Sequence, residues 1–104
     1  MLRLTPSRGN AHGSAWYRQQ VLFSNGFETT FRFKISEPTN DGADGFVFVL
    51  HNDPRGLSAL GSVGYGLGYE EILNSLAVVF DTWNNGSGSN RVNNCPIIHA
   101  WDFL

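Results

Sequence analysis

The sequence predicts an all-β protein built as an antiparallel sandwich, and three observations carry that prediction. Residues 27–35 alternate apolar and polar side chains, while residues 45–51 are apolar on both faces, and both patterns are typical of strands. Turn-forming residues follow such segments, as in residues 36–42 and 84–94. Twelve glycines and four prolines disfavour helices. We therefore expect short strands that pair into stacked sheets.

Five segments are candidate strands. Residues 15–23 are a weak candidate, and residues 27–35 predict a half-buried strand whose odd-numbered side chains form the apolar face. Residues 45–51 predict a central strand covered on both sides. Residues 75–83 predict a third strong strand, and residues 96–104 could begin another.

The chain is short for the fold that it predicts. Its 104 residues fit one domain, residues 1–104, whereas sandwiches run to roughly 200–250 residues. We therefore expect part of a sandwich, with strands missing after Leu104. The Gly-rich connection at residues 52–68 has a length that is usually functional or disordered.

The composition argues against several classes of partner. Seven basic and nine acidic residues are scattered along the chain and give a net charge of −2, so we expect no nucleic acid partner. No apolar run approaches the roughly 20 residues of a membrane helix, so we expect no membrane partner. Cys95 is the single cysteine, and we interpret it as an inert thiol.

The end of the third strong strand carries polar side chains at alternate positions. Val79, Asp81 and Trp83 share one side of a strand, and Asn85 continues that side into the loop. Asp accepts hydrogen bonds from hydroxyls or binds a cation, and Asn both donates and accepts. The flat indole suits the C–H face of a sugar ring. We expect these residues at a rim where the strand leaves the core.

Two further groups have the character of a binding site. Asp44 lies between a polar loop and an apolar strand, and the glycine cluster at residues 64–68 lets backbone N–H groups approach a ligand. Each has a structural interpretation as well. Asp44 could cap its own backbone, Asp81 could bond to loop amides, and Trp83 could be an edge core residue. The occurrence of all these groups in this order favours a ligand site.

In that order, the segments resemble the legume-type (L-type) lectins. The resemblance rests on "GFETTFRFKI", "ADGFVFVLH", "GYGLGY" and "NSLAVVFDTWNN", and it covers roughly residues 2–85. It implies a concanavalin A-like jelly-roll sandwich, of which this chain supplies about the N-terminal half. It also implies non-catalytic carbohydrate binding, glycans as partners, and an extracellular or secretory-pathway protein.

The resemblance assigns roles to single residues. Asp44 accepts hydrogen bonds from sugar hydroxyls, and a backbone N–H of Gly64 or Gly66 adds a donor. Trp83 stacks against the sugar ring, and Asn85 donates its side-chain amide. The "NGS" that begins at Asn85 also matches an N-glycosylation acceptor, and a glycan there would block the site.

The chain departs from the metal-binding members of the family. Those members carry a Glu where this chain has Val79, and a further Asp where it has Ser89 or Asn90. Their metal-binding His has only a loose counterpart here, His99, at the wrong spacing. We therefore expect no manganese site.

A weak calcium site remains open. Calcium takes 6–8 oxygen ligands, usually with several carboxylates. The resemblance offers the Asp81 carboxylate, the Trp83 carbonyl and the Asn85 side chain. One further oxygen would come from Ser89, Asn90 or Asn93.

Two alternatives to a lectin stay open. The same fold hosts glycoside hydrolases, which need two carboxylates roughly 5–9.5 Å apart, and the nearby acids are Asp41, Asp44 and Asp81. The chain could also be an incomplete lectin-like domain without binding activity. Half a sandwich leaves an apolar sheet face and unpaired edges, which favour association, so a homo-oligomer is possible.

Overall fold

The computed structural model describes residues 1–37, 44–83 and 97–99, and the regular structure in these ranges is mainly strand, with no α-helix. The strands are β1 (Gly45–His51), β2 (Ser75–Asp81) and β3 (Ile97–His99). They form one mixed sheet in the order β1-β2-β3. No helix in the described ranges has the length and hydropathy needed to cross a membrane.

β1 and β2 form a regular antiparallel pair, and both begin where the sequence predicts. The register runs from Gly45 opposite Asp81 to His51 opposite Ser75. Valine and phenylalanine fill both strands, and such residues favour a pleated, half-buried surface. Among the described residues β2 is the central strand of the sheet, and β1, which the sequence predicts to be central, pairs only with β2 there.

The pairing of β3 differs from a purely antiparallel sheet. β3 runs parallel to β2, with His99 aligned to Val79. A parallel connection requires about a dozen residues or more, and residues 82–96 supply that length.

Residues 27–35 are not a strand, but their odd-numbered rings lie over one face of the sheet. Ring centroids are 4.6 Å apart for Phe33 and Phe46, and 5.6 Å apart for Phe31 and Phe48. The predicted apolar face is therefore present in the structure, although the predicted strand is not. Strand structure needs a backbone ladder to a neighbour, and ring packing does not supply one. The weak candidate at residues 15–23 is not a strand either.

The buried core lies on the opposite face of the sheet. Ala77 and Val79 of β2 are fully buried there. Ala59, Tyr69 and Ile72 cover them from the long connection at residues 52–74. The connection is thus ordered and contributes to the core. The described residues form this single sheet with its two coverings, and they do not include a second sheet.

Candidate functional site

Asp44 and Asp81 lie at the same end of the β1–β2 pair. Asp44 immediately precedes β1, and Asp81 ends β2 opposite Gly45. The Thr82 N–H donates to the Asp44 carbonyl oxygen across 2.9 Å. Antiparallel pairing places the start of one strand beside the end of its neighbour, so distant segments of the chain meet at one rim.

Gly45 permits this close approach. Its φ is +135°, a backbone conformation that is unfavourable for every residue with a Cβ atom. A Cβ at this position would press on the Phe80 carbonyl oxygen and lie 3.1 Å from both the Asp81 Cα and the Thr82 nitrogen. The rim therefore requires glycine next to Asp44.

Asp81 ends the strand by redirecting the backbone. Its residue exposure is only 7%, and its Oδ1 accepts a hydrogen bond from the Trp83 N–H across 3.0 Å. This bond agrees with the structural interpretation of Asp81, because an Asp that bonds two residues ahead forms a turn. The predicted strand at residues 75–83 was two residues too long, so the alternation that puts Val79 and Asp81 on one face does not extend to Trp83. The strand stops at Asp81, and Trp83 is 41% exposed.

The two candidate glycines occupy different environments. Gly64 has a φ of +67°, and a Cβ on it would point to the Asp44 Oδ2 at 3.8 Å. Its N–H has no backbone acceptor among the described residues. Gly66 is buried, and a Cβ there would lie against the Ser62 hydroxyl and 2.7 Å from the Glu70 Oε2. Gly64 therefore borders Asp44, whereas Gly66 is enclosed by its own loop.

Sequence reasoning missed an ion pair between the buried carboxylate of Asp53 and the partly exposed side chain of Arg55. The Asp53 carboxylate accepts hydrogen bonds from the Arg55 N–H and the Leu73 N–H, each at 2.8 Å. It also accepts from the Arg55 Nε and Nη2, at 3.0 and 2.8 Å. Arg55 donates in addition to the carbonyls of Leu60 and Glu71. The only sequence signal is "DPR", a short pattern in a turn. We call this pair the Asp53–Arg55 clamp.

These bonds set the electrostatics of the clamp. The Arg55 side chain, followed by the backbone N–H groups of Arg55 and Leu73, holds the pKa of Asp53 well below its ordinary value of 3.8. The same side-chain bond to Asp53 raises the pKa of Arg55. Both groups are therefore charged at any pH where the protein is expected to fold.

The clamp predicts that acid weakens the fold. A carboxyl whose pKa is lowered by folding stabilises the native state above its unfolded pKa, and this contribution is lost as the pH falls below about 4. We expect the difference in free energy of unfolding between wild type and Asp53→Asn to be largest at neutral pH and to shrink toward about pH 2. Urea denaturation at several pH values measures it.

A surface carboxylate provides the control for this pH dependence. Glu37 pairs with Arg3, and both side chains are about two-thirds exposed. Glu37→Gln should therefore change the free energy of unfolding little at any pH. An Asp53→Asn difference that stays constant from neutral to acid pH contradicts the prediction.

The other predicted ligands lie outside the described residues, namely Asn85, Ser89, Asn90 and Asn93. Asp41, an acid named for the hydrolase alternative, and Cys95 lie outside them as well. Within the described ranges, no group of three or more acidic, His or Cys side chains is arranged to hold a metal ion. Asp81 and the Trp83 carbonyl are the described part of the predicted calcium ligands. Calcium binding stays a prediction.

The described rim thus brings the Asp44 carboxylate beside Gly64 at the end of the β1–β2 pair in a β-rich fold. The model of the legume lectin domain matches residues 1–95, so the chain belongs to the legume lectin family. This confirms the resemblance. The family has a β-rich, concanavalin A-like fold, binds carbohydrates and is generally non-catalytic, and its domains are typically secreted or extracellular. No solved structure matches the chain.

Proposed function

We propose that this chain is a non-catalytic sugar-binding domain whose site is the rim at Asp44, Gly64 and Trp83. The observation that carries the proposal is the position of the Asp44 carboxylate beside Gly64, whose N–H has no backbone acceptor in the part of the chain that the structure describes. An acceptor and a donor so close together can engage neighbouring oxygens of one sugar ring. Membership of a carbohydrate-binding family supports the same function.

The chemistry of the rim suits hydroxyl groups. A carboxylate accepts hydrogen bonds from sugar hydroxyls, and each bond to a charged group contributes about 1.5–3 kcal/mol. The Gly64 N–H donates to a further oxygen of the sugar, beside the hydroxyls that bind the Asp44 carboxylate. Trp83 is 41% exposed and can cover the apolar face of the ring. A site this shallow gives modest affinity, so we expect multivalent presentation to supply avidity.

The proposal also includes residues after β2. Asn85 donates its side-chain amide to the same sugar. Asp81, the Trp83 carbonyl and Asn85 would hold a calcium ion weakly, with one further oxygen from Ser89, Asn90 or Asn93. Manganese is not proposed, because Val79 provides no carboxylate. Residues 1–104 then form one domain that is part of a jelly-roll sandwich in a secreted protein.

A glycan array tests the proposal. We expect wild type to bind, and calcium chelation to lower the signal. Gly64→Ala should remove most of the signal, because the methyl group occupies the space in front of Asp44 and the positive φ costs roughly 1–2 kcal/mol. Gly26→Ala is the matched control, since Gly26 also has a positive φ, +81°, and a Cβ there has no neighbour within 4 Å.

Three outcomes distinguish the alternatives. If wild type binds no glycan with or without calcium, the chain is a lectin-like domain without binding activity. If Gly64→Ala binds as wild type does, the sugar site lies elsewhere on the chain. Release of reducing sugar from a polysaccharide would favour the glycoside hydrolase.

A further inference from the structure

The Asp53–Arg55 clamp closes the long connection between β1 and β2. Asp53 lies two residues after β1, and Leu73 lies two residues before β2. The Asp53 Oδ2 accepts the Leu73 N–H across 2.8 Å, although the two residues are 20 positions apart. Asp53 as a whole residue is only 5% exposed. The clamp therefore joins both ends of the connection beside the sheet.

Arg55 extends this closure toward the middle of the connection. Its guanidinium donates to the Leu60 carbonyl at 3.2 Å and to the Glu71 carbonyl at 3.1 Å. The same group binds both oxygens of Asp53. A planar guanidinium makes several bonds in fixed directions, so it sets the relative orientation of the segments that it joins.

A continuous set of hydrogen bonds leads from this point to Gly64. The Gly61 N–H donates to the Gly68 carbonyl and the Gly68 N–H to the Ser62 carbonyl, each at 2.8 Å. The Leu67 N–H donates to the Gly64 carbonyl at 2.9 Å. Residues 61–68, which we call the glycine tip, thus form a bonded unit that follows the orientation of its base.

The position of Gly64 beside Asp44 is set from this base. The 3.8 Å approach of the Asp44 Oδ2 to the Gly64 Cβ position is a contact, and no hydrogen bond among the described residues joins the two. Core packing through Ala59 and Tyr69 holds the body of the connection. The clamp adds directional polar bonds to this packing. The Asn52 N–H joins the same two ends of the connection by donating to the Asn74 carbonyl at 2.9 Å.

We propose that Asp53 and Arg55 are positioning residues for the sugar site, which hold the glycine tip so that the Gly64 N–H and the Asp44 carboxylate face one sugar ring. The proposal rests on the function proposed above. It makes the clamp a determinant of affinity although neither residue reaches the sugar.

Arg55→Ala and Arg55→Lys test the proposal in the full chain. The probe is the array glycan that gives the strongest wild-type signal, and hydrogen exchange follows the amides of the glycine tip and of the β1–β2 pair. We expect Arg55→Ala to weaken binding roughly 3- to 30-fold, and to speed exchange at Gly61, Leu67 and Gly68 more than in the strands. Arg55→Lys keeps the positive charge but loses the planar guanidinium that makes several hydrogen bonds at once. Its effects on binding and exchange should therefore be intermediate.

Arg3→Ala is the matched control, because Arg3 makes its ion pair with Glu37 on the surface. It should leave binding and exchange unchanged. The proposal is overturned if tip exchange stays at the wild-type rate in both Arg55 variants. It is also overturned if strand exchange rises as much as tip exchange, or if faster tip exchange leaves binding as strong as in wild type. If wild type binds no glycan, the proposed function fails, and the exchange data alone decide whether the clamp orients the tip.

Discussion

Asp44→Ala is expected to abolish glycan binding and to leave the fold intact. The substitution removes the carboxylate that accepts sugar hydroxyls, and losing two bonds to a charged group costs about 3 kcal/mol or more, at least about a hundredfold in affinity. The backbone carbonyl of residue 44 still accepts the Thr82 N–H, so the β1–β2 register should remain.

Array binding and urea denaturation together check this result. Asp44→Asn keeps the size of the side chain and removes its charge, so it should bind weakly but measurably more than Asp44→Ala. Glu37→Ala removes an exposed carboxylate elsewhere and should bind as wild type does. Strong binding by Asp44→Ala would place the sugar away from this rim.

Gly45→Ala is expected to damage both stability and binding. A φ of +135° in a residue with a Cβ stores about 1–3 kcal/mol of strain. The new methyl group also meets the Phe80 carbonyl oxygen, which belongs to the backbone and cannot rotate away. Relief of this contact requires the strands to separate where Asp44 and Asp81 meet, so we expect a total loss of about 3 kcal/mol or more.

Gly26→Ala separates the two causes. Gly26 has a φ of +81° but no atom within 4 Å of its Cβ position, so the substitution adds strain without a contact. It should lower the free energy of unfolding less than Gly45→Ala does, and it should not affect glycan binding. Equal losses in the two variants contradict the role given to the Phe80 contact.

The paired strands could be predicted because their signal is local. The apolar run of β1 and its bounds are visible in seven consecutive residues, and β2 likewise begins where its apolar pattern begins. The failure at Trp83 is also local in cause, since the Asp81 side chain bonds the Trp83 N–H and bends the chain. Alternation of side chains cannot indicate where such a turn ends a strand.

The rest of the candidate site depends on contacts between distant residues. Asp44 and the glycines became candidates through their order in the sequence, and preferring Gly64 to Gly66 in the proposed site required knowing which neighbour each one meets. The Asp53–Arg55 clamp was missed because Leu73 and Glu71 complete it from far along the chain. The alternating pattern of residues 27–35 predicted which side chains pack on the sheet. It could not indicate whether the backbone of this segment pairs with another strand.

The aromatic face of the sheet has a thermodynamic consequence. Phe27, Phe31 and Phe33 remain 44–51% exposed, and a crevice of about 330 Å³ lies beside the ring contacts, between residues 27–31 and the strands. Unfolding raises the heat capacity by exposing apolar surface to water. Apolar surface that is already exposed to solvent in the native state adds nothing to that change. The heat capacity increment per residue should therefore fall below the usual range of about 12–15 cal/mol/K, which flattens the dependence of stability on temperature.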